Sequence, residues 1–121
     1  MDQSLSSGLE TGAKVVATGS TNWAMTKQRN DVYVADIIND SRYEGWKGVF
    51  RSLDHDGNEV PYQTGYVLHH IPPAGLKGVI TRRWDVPEAR QAKGEAAYNY
   101  EVKWAKGGTL YNYEEDELKA V

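Results

Sequence analysis

The chain has 121 residues, 26% charged and 40% hydrophobic, which places it with globular proteins of about one domain and excludes a disordered chain. It has no cysteine, so a disulfide framework, a thiolate metal site and a thiol nucleophile are excluded, and its net charge of −3 exerts no global pull on nucleic acid. No window is apolar enough for a membrane span and no signal-peptide layout opens the sequence, so the expected location is cytoplasmic.

Glycine (12), tyrosine (8) and tryptophan (4) are abundant while phenylalanine occurs once, a composition that favours short strands and tight turns over long helices. Residues 1–11 (MDQSLSSGLET) are small, polar and aperiodic and read as a flexible arm. Residues 13–18 (AKVVAT), bracketed by Gly12 and Gly19, form a first strand. The next segment, 20–30 (STNWAMTKQRN), fits either a short helix capped by Thr21 or Asn22 or a loop with a buried Trp23. Residues 31–38 (DVYVADII) read as a strand, and Asn39-Asp40-Ser41 as a turn.

Residues 45–53 (GWKGVFRSL) and 59–62 (EVPY) flank Asp56-Gly57, a hairpin signal, with Pro61 confining the return to an edge. The DHDGNE stretch has Asp54 and Asp56 at alternate positions, but Gly57 comes too early for a calcium loop and no correctly spaced glutamate follows, so a hairpin turn is the better account. Residues 65–71 (GYVLHHI) are apolar and stop at Pro72-Pro73. His69 and His70 are adjacent, so a strand sends one to the core and the other to solvent, and they cannot share a metal. No metal and no cofactor is expected. Residues 75–84 (GLKGVITRRW) form a strand, and 85–97 (DVPEARQAKGEAA) an exposed loop with a single helical turn. Two segments share the pattern G-(W/L)-K-G-V-(F/I), at 45–50 and 75–80, a weak internal repeat.

The last 24 residues are the most regular. Tyr98, Tyr100, Val102 and Trp104 alternate with Asn99, Glu101 and Lys103, the period of a strand with one buried and one wet face. Lys106-Gly107-Gly108 supplies a turn, residues 109–113 return as a second strand, and Glu114-Glu115-Asp116-Glu117 reads as an exposed 3₁₀ turn before a closing strand with Leu118. On a solvated turn the repulsion among these acids is screened, so no acid–base role is assigned to them.

That ending resembles the SH3-like barrels of the Tudor, KOW and Mib/Herc2 type, through Lys77-Gly78-Val79-Ile80, Tyr100-Glu101-Val102-Lys103-Trp104, the Gly107-Gly108 turn and Asp116-Glu117-Leu118. The expected architecture is all-β: the arm, an N-terminal segment at 12–63 that is either a β-rich extension or a second small barrel-like module, and an SH3-like β-barrel at 64–121. The resemblance implies fold and not activity, since such barrels serve as readers of proteins, nucleic acids or modified tails and as scaffolds. A Tudor-type aromatic cage would draw on Trp84, Tyr98, Trp104, Tyr111 and Tyr113, but strand aromatics of this kind are more often core, and only Trp84 sits at a strand end beside a loop.

Charge is unevenly spread. Residues 77–106 carry seven basic side chains (Lys77, Arg82, Arg83, Arg90, Lys93, Lys103, Lys106) against four acids, whereas the flanking segments are each net acidic. The leading expectation is a non-enzymatic module that docks on a protein partner, using Arg82, Arg83, Trp84, Arg90, Lys93 and Trp104, because Tyr, Trp and Arg anchor interfaces. Such a chain would suit a phage or mobile-element accessory protein acting on a host factor. The alternatives are a nucleic-acid-binding barrel using the basic section, and a structural or assembly subunit.

Overall fold

The computed structural model describes residues 9–63 and 67–121. Short β-rich segments form β1 (Lys14–Ala17), β2 (Val32–Ala35), β3 (Lys47–Arg51), β4 (His69–Ile71), β5 (Lys77–Asp85), β6 (Tyr98–Trp104), β7 (Thr109–Tyr113) and β8 (Leu118–Ala120). Single helical turns lie at α1 (Trp23–Thr26) and α2 (Glu88–Gln91). The strands assemble into two antiparallel sheets, ordered β7-β6-β5-β1-β8 and β2-β3-β4, so the fold is all-β. Among the described residues no ladder joins the two sheets, and closure into a barrel is not shown. No described helix is long and apolar enough to cross a membrane.

The sheets do not follow a division at residue 63. β1 inserts between β5 and β8, while β4 pairs with β3. The reason is the core, which needs both segments to close: Val15 from β1 and Trp46 from the edge of β3 are buried with Ile80, Tyr100, Val102, Trp104 and Tyr113. Trp104 stands edge-on to Trp46 at 6.3 Å and to Tyr113 at 5.3 Å. Gly107, at φ +89°, lies so close to the Trp46 ring that a Cβ would come within 2.8 Å of it. The hairpin turn between β6 and β7 is thereby seated on a tryptophan from the other sheet.

The two G-x-K-G segments are structurally equivalent. Each opens on a glycine with positive φ (Gly45 and Gly75) and leads into the middle strand of its sheet, β3 or β5. Each places its second glycine where a side chain would collide: Gly48 against Phe50 and Ile38, Gly78 against Val102 and Trp104.

Several expectations need correction. The 45–62 hairpin forms but is short: the Leu53–Glu59 bridge is flanked by backbone bonds from Asp54 to Asn58 and from Val60 to Ser52, while β3 itself takes β2 and β4 as its neighbours. Its turn stands as read, with the Asp54 carboxylate accepting from the amides of Asp56 and Asn58. The 20–30 segment resolves as one helical turn with Trp23 buried, and it is Thr21, not Asn22, whose side chain accepts the Trp23 amide. Of the 1–11 arm, residues 1–8 lie outside the described residues. Leu9 is tied down, donating to the Tyr100 hydroxyl at 2.9 Å and accepting from Arg83 at 3.0 Å. Residues 64–66 of the 65–71 segment also lie outside the described residues.

Candidate functional site

The acidic turn departs furthest from expectation. Glu114 and Glu117 are 1% and 2% exposed, because the 3₁₀ turn (Glu115–Glu117) folds them inward against α1 and β4. Glu117 accepts from the Glu114 amide at 3.0 Å and meets His69 Nε2 at 2.6 Å. Glu114 accepts the Thr26 hydroxyl at 2.7 Å and faces Lys27 Nζ at 3.6 Å. Burial raises the Glu114 pKa, opposed by the Thr26 hydrogen bond and the Lys27 charge. The indole of Trp23 stacks on His69 at 5.2 Å and closes the cluster. Glu114, Asp116 and Glu117 bring carboxylate oxygens within 4.8 Å of one another, but the two buried ones are already engaged with protein donors. What these groups do is join α1, β4 and the C-terminal turn.

His70 points the other way, into a cleft of about 420 Å³ lined by Asp40, Arg42, Tyr43, Gln63 and Val67. Its ring lies 4.4 Å from Tyr43, and desolvation lowers its pKa to about 4, so it is neutral at pH 7. His69 is buried, as expected of one of the pair, whereas His70 is only half in solvent.

The six residues assigned to partner binding do not form one surface. Trp104 is 3% exposed in the core and cannot meet a partner without unfolding its surroundings. Arg90 makes a two-pronged ion pair with Glu95 at 2.6 and 2.8 Å. Glu95 in turn holds Lys27 at 3.0 Å, so the 85–97 loop is pinned to α1 instead of standing free. Arg83 faces the arm side, 4.4 Å over the Tyr98 ring and bonded to Leu9. Lys93 is exposed on the loop. Only Arg82 and Trp84 share a face, with the guanidinium 4.8 Å over the indole. Of the proposed cage aromatics, Tyr113 is also core, while Tyr111 is exposed.

Strand register shows what else lies on that face. Partners across an antiparallel ladder project to the same side, and alternate residues along a strand do too. Val15, Gly78 and Trp104 are cross-strand neighbours on the core side. Their chain neighbours therefore form outward rows: Lys14, Val79 and Lys103 in one, Lys119, Val16 and Lys77 in the next. Each row sets a valine between two lysines, and all four lysines are exposed. Lysines flanking one valine stand about 9.5 Å apart, two strand spacings. None makes an ion pair with a described residue. A bulge between Ile80 and Arg82 keeps Arg82 and Trp84 on the same side as Glu101 and Asn99, the Glu101 carboxylate accepting from Thr81 at 2.8 Å. Asn99, expected to be wet, is buried beside Trp84. A shallow groove of about 640 Å³ runs over this face, with Val79, Ala105 and Val121 between Lys14, Lys77 and Lys103.

Lys14 and Lys119 escape a reading by charge windows because they lie outside 77–106. Their alternation with Val15 and Leu118 carries only a weak signal on strands of four and three residues. No protein-family model, no curated protein and no solved structure matches the chain.

Proposed function

We propose that the chain is a non-enzymatic binding module that takes nucleic acid on the outer face of its five-stranded sheet. The observation carrying this reading is the pair of Lys-Val-Lys rows. Like charges gathered without carboxylate partners repel one another and raise local positive potential, an arrangement favourable when a polyanion covers it. With Arg82, the described residues of this face bring five cations together with the carboxylate of Glu101, although the whole chain is net acidic. The element order of the C-terminal end, with its glycine turn, 3₁₀ turn and closing strand, supports placing the module beside the SH3-like barrels. Engagement of the buried histidine and glutamates with one another supports a structural role for them, not a catalytic one.

The test is fluorescence anisotropy of a labelled oligonucleotide at about 50 mM salt. Charge reversal of Lys77 and Lys103 together is expected to weaken binding about ten-fold or more, with circular dichroism unchanged. Undiminished binding by that variant would remove the reading.

A protein partner is favoured by a separate observation. β2 is an edge strand, and Val34, Ile37 and Tyr62 are exposed on or near it. An open edge with apolar side chains accepts a partner strand. A protein captured after nuclease treatment, and lost on Val34→Lys, would support that reading; the assembly-subunit alternative would show instead as incorporation into a complex with the lysine face covered.

A further inference from the structure

We infer, resting on the nucleic-acid reading, that the strand bound on this face is single and that a base stacks on Trp84. Three of the four tryptophans are buried in the two cores: Trp23, Trp46 and Trp104. Trp84 belongs to neither core, is partly buried, and lies along the same outward face as the lysine rows. Arg82 covers one side of its ring at 4.8 Å, so the indole and guanidinium together make a cationic site on which a base can stack.

The composition of the rows points the same way. A duplex turns phosphates outward and keeps base faces stacked inside, so apolar side chains between the lysines would meet only sugar and groove edges and no base face. Val79 is 38% exposed between Lys14 and Lys103, and Val121 and Ala105 extend the apolar floor. Alternating cationic and apolar positions match a ligand in which phosphates and unstacked bases alternate. An unpaired strand offers a base face to Trp84 without disrupting a helix, whereas a duplex has to extrude one.

The experiment compares the full chain with a labelled oligonucleotide of about 16 nucleotides, alone and annealed to its complement, with polyglutamate as competitor. Single strand is expected to bind about ten-fold tighter than duplex. Trp84→Ala is expected to lose most of that advantage, leaving duplex affinity unchanged, and to abolish quenching of tryptophan emission by the single strand. Equal affinity for the two forms, or single-strand binding untouched by Trp84→Ala, overturns this inference while leaving nucleic-acid binding in place. Displacement by polyglutamate at equal charge concentration also overturns it and assigns the face to an acidic peptide. Failure of both nucleic-acid forms to bind at low salt instead overturns the underlying reading.

Discussion

Glu114 and Glu117 stand in a run of four consecutive acids, yet both are sealed from solvent. The difference from a solvated acidic turn lies in their partners. Thr26, Lys27 and His69 come from segments 45 or more residues away, and composition cannot anticipate such contacts. For Glu114 the folded pKa is raised, so its charged form is the one disfavoured by folding. The cost is absent well below the ordinary glutamate pKa of about 4.3, grows as pH rises through it, and is complete above the raised folded value. Glu114→Gln keeps an acceptor for the Thr26 hydroxyl without the charge. Its stability relative to the native chain should therefore improve between pH 4 and pH 7 in urea unfolding; a gap independent of pH would contradict the assignment.

The elements were legible to differing degrees. β5 through β7 and the glycine turn between β6 and β7 follow the pattern of the residues closely, because alternation over five or more positions and a Gly-Gly turn are local signals. The 45–62 turn is legible, but a turn motif says nothing of β3 taking β2 and β4 as its ladder neighbours. The G-x-K-G repeat is better supported by structure than by sequence. In both copies the second glycine clears room for core side chains, a requirement invisible in the repeat itself. Gly78→Ala, whose Cβ would lie 2.6 Å from Val102 and 2.7 Å from Trp104, should cost about 1–3 kcal/mol in urea unfolding. An unchanged midpoint would mean that the Trp104 ring is not held against β5. The 85–97 loop is anchored through Glu95, whose pKa is held at about 2 chiefly by Arg90 and also by Lys27. A depressed folded pKa gives stabilisation that is present above about 4.3 and lost as pH falls towards 2. Protection factors for amide exchange across α2, taken relative to the intrinsic rate at each pH, should accordingly fall over that interval, and in Glu95→Gln they should be low already at pH 7.

At the scale of the whole molecule, a chain of net charge −3 presents a concentrated cationic face because its acids are placed elsewhere: inside the C-terminal turn, in the Arg90 and Lys27 pairs, and around Asp31 and Asp40. Four of the six residues of the candidate site were visible beforehand. Arg82, Trp84, Lys77 and Lys103 belong to the basic section, whereas Arg83, Arg90 and Trp104 share only its sequence neighbourhood. Lys14 and Lys119 join through the insertion of β1 between β5 and β8, a topological fact that no linear window contains. The most direct measurement is the salt dependence of oligonucleotide affinity, for the native chain and for the variant with Lys14, Lys77, Lys103 and Lys119 replaced by alanine. With four lysines and Arg82 engaged, log K against log salt should fall with a slope of about −3.5 for a single strand, and the variant's slope should flatten to about −0.7. A native slope near zero, or one that the four substitutions leave unchanged, would contradict the assignment of this face.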